Sequence, residues 1–292
     1  MTSRTSDTLL GATALLALLM SITGCGMMRN AAIGSVMEDL ATATNKHEDA
    51  ELVAQAAPTY LLLMDGLLEG SPDDPDLLLE ASRAYTSYGA LMESSAPERA
   101  RLIYKRGKDY GVRALAQKRR AVAPLLSAPY DEFTKITSSL RSEDVEFVFW
   151  AASGWGAWIS VHTESMSALA DLPRVILLME WVIERDETIL LGSPHLFLGI
   201  YYAALPPMLG GKPERSRAHF DRAVELSGGK SAIVYVQMAR YYARQMYDFE
   251  LYTSLLNQAL DVPADAVPEL TLQNAAAHDL ARTLLHDTDL FQ

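Results

Sequence analysis

The sequence predicts an all-α fold: a single domain of stacked helical hairpins. Three observations predict it. From Glu48 onward, apolar residues recur at spacings of three and four along most readable segments, the period of a helix with a buried face. Convincing alternation of apolar and polar residues, the mark of a half-buried strand, is missing. Turn residues fall between the periodic segments, at Ser71-Pro72-Asp73-Asp74-Pro75, Pro206-Pro207, Gly210-Gly211-Lys212-Pro213, Ser227-Gly228-Gly229 and Val262-Pro263. No stretch is long or biased enough to divide two domains.

Residues 1–24 read as a secretory signal. Arg4 supplies the positive charge, and Leu9 to Ile22 form an apolar run of about 14 residues. That is short of the roughly 20 a spanning helix needs. The run ends in Leu19-Met20-Ser21-Ile22-Thr23-Gly24-Cys25, an apolar residue, small residues, glycine and then cysteine. A thiol there can take a diacylglyceryl group, and the small residues before it suit cleavage. Cys25 is therefore the expected lipidation site and mature N-terminus. An uncleaved membrane anchor is the competing reading, disfavoured by the small residues next to Cys25. Gly26 follows rather than aspartate, so the simplest inner-membrane retention signal is absent. The expected location is the outer membrane, facing the periplasm. Residues 25–47 read as a lipid-anchored tether and first helix, and residues 48–292 as the helical domain.

Arg4 and Asp7 leave together, so the mature chain of 268 residues keeps the net charge of −12. An acidic surface argues against nucleic-acid binding, which depends on neutralising phosphate. It also argues against electrostatic docking on anionic lipid, leaving the N-terminal lipid as the membrane contact. Cys25 is the only cysteine, so packing alone must hold the fold, and a chain this long can bury a large core. No later segment is apolar and long enough to span a bilayer. Val145 to Val161 comes nearest and is interrupted by Glu146, Gly154 and Gly156.

In chain order, Val175, Leu178, Met179, Val182 and Ile183 form one helical stripe, with Ile176, Leu177 and Trp181 on other faces. Ser216, Phe220, Ala223 and Val224 form the next, opposite Arg217, Asp221, Arg222 and Glu225. Tyr252, Leu255, Leu256, Ala259 and Leu260 repeat the pattern, and a last helix runs from Pro268 to about Leu285. Leu198-Gly199 and Tyr202, followed by Ser216, Phe220 and Ala223, match the order of the tetratricopeptide (TPR) signature, with a long inter-helix turn at Pro206 to Gly211. Ala81-Ser82 and Tyr85, then Ala100, Tyr104 and Gly107, form a weaker copy. Two degenerate pairs join Phe149–Ile159 to Leu172–Glu184 and Ile233–Ala243 to Phe249–Leu260. The fold class is thus a TPR-like helical-hairpin repeat array, which leaves a concave face suited to binding. A plain helical bundle is the alternative.

Several stretches resemble the TRAP-transporter-associated T-component (TatT) lipoproteins. They are Tyr60 to Gly66, Pro75 to Ala81 with Tyr85, Arg101 to Gly107, the tryptophan segment Trp150 to Trp158, and Gly192 to Tyr202 continuing through Leu209 to Phe220. The Cys25 signal agrees independently. Trp155 is followed by Gly156, where the family pattern suggests further bulky residues. The resemblance implies a non-enzymatic, periplasmic, lipid-anchored protein of TPR-like hairpins. It implies a homotrimer that associates with the solute-binding subunit of a TRAP (tripartite ATP-independent periplasmic) transporter and helps to bind a small hydrophobic or carboxylate ligand. The alternative is a general envelope scaffold lipoprotein acting through protein–protein contacts.

Four aromatic residues are candidate ligand contacts: Trp150, Trp155, Trp158 and Tyr201. On a helix Trp155 and Trp158 share a face and Trp150 lies about 140° from Trp155. Gly154 and Gly156 permit close approach of a backbone or a ligand. Core packing is the rival explanation for the tryptophans. Tyr202 occupies a repeat packing position, whereas Tyr201 points elsewhere. Ser193 is the expected cap of a helix beginning at Pro194, with His195 as a surface or packing residue. No second histidine stands at metal-ligand spacing from His162, Gly228-Gly229-Lys230-Ser231 lacks the first glycine of a phosphate loop, and no nucleophile-elbow motif is present. The reading therefore assigns no metal, no cofactor and no catalytic residue.

Overall fold

The computed structural model describes residues 36, 37, 39–204 and 211–287. The signal segment, Cys25 and the turn residues Pro206 to Gly210 lie outside the described residues. The chain divides into two compact units, 1–43 and 44–292. The described residues of the first are helical; the second carries the hairpins. There is no strand among the described residues.

Helix α1 spans Ala50–Gly70 and starts where the Asp49 carboxylate accepts from the Leu52 N–H at 2.8 Å. It buries Leu61, Met64 and Leu68, three positions one helical face apart. Helix α2, Pro75–Met92, is capped by Asp74 with Pro75 at its first turn, the arrangement in which proline's missing N–H costs nothing. Helix α3 is Pro97–Lys118. A run of single turns follows up to Asp144, clasped at its ends by Arg119, whose guanidinium donates to the fully buried Asp144 carboxylate at 2.8 and 2.9 Å. Helices α4 (Val145–Ser160) and α5 (Leu172–Asp186) come next. Then come α6 (Ser193–Ala204) and α7 (Pro213–Leu226). Helix α8 (Ala232–Gln237) runs on as a π-helical turn, Met238–Ala243. Helices α9 (Phe249–Asp261) and α10 (Thr271–His286) complete the array.

Consecutive helices pair as α2 with α3, α4 with α5, α6 with α7 and α8 with α9, and α10 packs on both members of the last pair. The stripes at Val175, Leu178, Met179 and Val182, at Ser216, Phe220 and Ala223, and at Tyr252, Leu255, Leu256 and Ala259 are all buried. A side chain as fully buried as Leu178 or Leu256 contributes roughly 1.5–3 kcal/mol by leaving water.

Small residues set how closely the helices approach. A Cβ at Gly199 would lie 3.0 Å from the Phe220 ring, so the glycine admits the aromatic of its partner helix. The Ser216 hydroxyl donates to the Gly199 carbonyl at 2.8 Å, and the Ser82 hydroxyl to the Gly107 carbonyl at 2.9 Å. A buried serine–glycine bond thus ties both hairpins that carry the repeat pattern, with the serine on the second helix in one and on the first in the other, and each satisfies a polar group in the core. Between hairpins, a Cβ at Gly111 would stand 2.9 Å from the Ala151 Cα, and one at Gly154 would stand 3.0 Å from the Gly107 carbonyl. Helices α3 and α4 therefore cross backbone to backbone. The place a Cβ would take at Gly156 is filled by the Phe197 ring of α6, which explains the small residue after Trp155.

The expected cap at Ser193 is not made. Leu190, Leu191 and Gly192 all adopt positive φ, at 47°, 56° and 86°, and α6 begins at Ser193 itself. The left-handed turn presents the Leu190 carbonyl to the Ser193 hydroxyl, which donates to it at 2.7 Å. Two leucines in this region cost of order 1 kcal/mol each or more. The turn is held in place because Gly192 packs against Leu226 of α7.

Candidate functional site

The four sequence-predicted residues fall into three environments. Trp155 is 4% exposed. Its indole N–H donates to Asp171 at 3.1 Å, and its ring meets Phe133 edge-on at 6.3 Å. Trp158, one turn on, is half-buried and stacks on His162 at 4.8 Å. His162 donates its Nδ1–H to the Trp158 carbonyl at 2.7 Å. Both indoles face the Lys108 ammonium of α3, which stands 3.8 Å from the Trp158 ring centre and 5.0 Å from that of Trp155. Burial lowers the pKa of that ammonium, opposed by the charge of Asp171. Trp150 has different company. Its ring lies under the Arg83 guanidinium at 5.6 Å and edge-on to Phe149 at 5.3 Å. Its buried N–H has no hydrogen-bond partner among the described residues.

Tyr201 lines a cleft with a volume of about 260 Å³ between α5, α6 and the start of α7. Pro173, Ile176 and Leu177 form one wall, from a single face of α5, and Tyr201 and Tyr202 form the other. Lys212, Arg215, Glu180 and Tyr130 border it. Glu180 accepts from the Tyr202 hydroxyl at 3.1 Å and from Arg215 at 3.2 Å. Burial, and then the charge of Glu180, push the Tyr202 hydroxyl up to about 12, so it stays a donor. The Tyr202 ring is clamped by Arg215 at 4.3 Å and by the stacked ring of His219 at 5.6 Å.

Behind Tyr202 lies a relay that sequence reasoning did not assemble. His195 is 7% exposed. Its Nδ1 faces the Nδ1 of His219 at 2.9 Å, and its Nε2 lies 3.1 Å from Glu187. Glu187 in turn accepts two bonds from Arg222, at 2.5 and 3.0 Å. A carboxylate accepts, so His195 carries its proton on Nε2 in the neutral pair, and His219 donates Nδ1–H to it. Glu187 reaches His195 because the left-handed turn at Leu190–Gly192 follows it directly. The only signal in the sequence was the pair of histidines, one on each helix of the best-matching hairpin.

The pair predicts a pH dependence. Burial, followed by the charges of His195 and Arg215, holds the His219 pKa down at about 4, against an ordinary 6.5, and burial also lowers that of His195. Between those values the unfolded chain binds protons that the folded chain refuses. Stability is therefore full above about pH 6.5 and falls as pH drops toward 4. Glu187, held low mainly by Arg222, adds a loss in the same direction below the ordinary carboxylate range. The melting temperature should fall between pH 7.5 and 5, and His219→Gln should flatten that fall.

The sequence profile of the TRAP transporter T-component family matches residues 46–291. The chain belongs to the TRAP transporter T-component family. Membership implies association with TRAP transport at the cell envelope, in an accessory transport family that is not a known enzyme family. No curated protein matches the chain significantly. Among the described residues, no helix is long and apolar enough to cross a membrane, and no group of three or more His, Cys, Asp or Glu is placed to hold a metal ion.

Proposed function

We propose that this T-component is a non-enzymatic lipoprotein, anchored through Cys25 in the outer membrane and facing the periplasm. There it binds the solute-binding subunit of a TRAP transporter and a small hydrophobic or carboxylate ligand. The observation that carries the reading is the family match across nearly the whole helical domain. The repeat array supports it, since stacked hairpins offer extended surfaces for a protein partner. Trp150, Trp155, Trp158 and Tyr201 are the proposed ligand contacts, Trp155 being the most deeply buried of them. The chain assembles as a homotrimer. The lipid concentrates the scaffold at the membrane face, where weak partners meet it more often.

Two measurements test this. Co-purification from the envelope should recover the solute-binding subunit, and recovery of the T-component alone under mild detergent would count against the partnership. Cys25→Ser should abolish lipidation and move the protein from the detergent phase to the aqueous phase of a partition assay. Unchanged partition would remove the anchor from the account.

A further inference from the structure

We propose that the tip of the α8–α9 hairpin, Met246 to Phe249, is a docking point for a folded protein, with Tyr247 entering an apolar pocket rimmed by lysine or arginine. The occupant assigned to it is the solute-binding subunit, so the inference rests on the partnership proposed above and adds the surface that makes it.

The tip carries a residue that the fold alone does not favour. The Asp248 N–H donates to the Ala243 carbonyl at 3.0 Å, and the Tyr247 N–H to the Arg244 carbonyl at 3.1 Å. These two bonds close a helix end of the Schellman type, whose first residue past the helix is left-handed and is usually glycine. Here that position holds Tyr247, at φ 54°, where a Cβ crowds the backbone. The side chain recovers nothing for the fold. It is 87% exposed and makes no hydrogen bond or ring contact among the described residues. A strained residue with no internal partner points to a use outside the fold.

Its neighbours give the chemistry of that use. Met246 and Phe249 are exposed as well, at 49% and 62%, and Arg244 is exposed beside them. Tyrosine, phenylalanine, methionine and arginine are the types enriched where proteins meet, and tyrosine is prominent among those that dominate binding. The exposed Asp248 and Glu250 interleave with the apolar side chains. Carboxylates at this place are repelled by anionic lipid and suit a pocket with a cationic rim.

The position of the tip agrees. The tether reaches the hairpin domain at Lys46, which pairs with Glu269 at 3.7 Å. Asn274 joins that end of α10 to the Ala232 N–H at 2.9 Å and to the Ala264 carbonyl at 3.2 Å, at the start of α8 and just past the end of α9. The tip stands at the other end of α9, 13 residues away, or about 20 Å. A partner seated there does not meet the tether where it arrives.

The test is calorimetric titration of the purified chain with the solute-binding subunit. Tyr247→Gly should weaken the complex at least about tenfold while the melting temperature holds or rises, because glycine suits the left-handed turn. Phe249→Ser should weaken the complex too. Leu102→Ser removes a leucine that is 70% exposed on α3 and should leave the affinity within about twofold. Wild-type affinity in Tyr247→Gly, or an equal loss in Leu102→Ser, would overturn the proposal and leave the partnership standing. No complex with the wild type would sink both. Flotation of the Cys25→Ser chain with phosphatidylethanolamine–phosphatidylglycerol vesicles, and its sedimentation alone, should not change on adding Tyr247→Gly. A loss of vesicle binding or of self-association there would give the tip to the bilayer or to a second copy and overturn the assignment.

Discussion

Gly154→Leu is expected to destabilise the helical domain by about 2 kcal/mol or more, lowering the melting temperature by roughly 4–8 °C. A Cβ there would stand 3.0 Å from the carbonyl carbon and oxygen of Gly107 and from the Lys108 nitrogen. All three are backbone atoms of α3, so no rotamer change relieves the clash. The helices must separate, and the packing around Ala151, Leu115 and Trp155 loosens with them. The gain in helix propensity, roughly 0.8 kcal/mol, offsets only part of this. Gly66→Ala is the matched control. No atom lies within 4 Å of the Cβ it would add, so stability should rise by about 0.5–1 kcal/mol. If both substitutions shift thermal unfolding equally, backbone contact between α3 and α4 is not what fixes the crossing.

Asp65→Ala is expected to release α1 from the array. The Asp65 carboxylate accepts from the Tyr85 hydroxyl at 2.8 Å, the Tyr110 hydroxyl at 2.7 Å and Arg106 at 2.7 Å. It is the shared partner of two tyrosines that face each other at 5.4 Å. Tyr85 is 3% exposed, so its hydroxyl would be stranded away from water. Burial and the hydrogen bond to Asp65 raise the Tyr85 pKa, which keeps that hydroxyl a donor throughout the physiological range. Hydrogen bonds to a charged acceptor contribute about 1.5–3 kcal/mol each, and the exposed Arg106 adds little. Tyr110 is only half-buried, so its bond counts for less than that of Tyr85, and a loss of about 2–4 kcal/mol follows. Hydrogen exchange should show it as faster opening of α1 before the remaining helices, and Asp65→Asn should fall between. Uniform acceleration across all helices would mean that Asp65 supports the whole core instead of pinning α1.

How much of this was legible in the sequence follows from the range of the interactions. Phe220 and Ala223, or Leu255 and Leu256, could be read directly because burial of a helical face imprints a period on neighbouring residues. The glycines at 107, 154 and 199 could be suspected, because only close helix approach gives small residues a use at those positions. The Asp65 pin joins residues 20 to 45 positions apart, and no local pattern marks it. The turn at Leu190–Leu191 uses residues that ordinarily avoid positive φ, so the segment carries no turn signal before Gly192. The π-helical turn at Met238–Ala243 likewise lies inside a segment whose apolar spacing reads as plain helix.

The candidate site shows the same division. Tyr201 stood out as the tyrosine not needed for hairpin packing, and it does line a cleft. Its partners come from α5, from the start of α7 and from the turn at Tyr130, a set only the packed fold can assemble. Trp155 and Trp158 share a face as their spacing requires, and the structure adds the Lys108 ammonium between them. Of the Glu187–His195–His219 relay the sequence offered only the two histidines, because Glu187 meets His195 through the fold.

The proposed role of the repeat array is to hold a TRAP solute-binding subunit. Native mass spectrometry of the mature protein mixed with that subunit tests it most directly. The account predicts a trimer of the T-component carrying bound subunits, at masses that shift with each added copy. Separate peaks for the two proteins at every ratio, with and without solute, would contradict it.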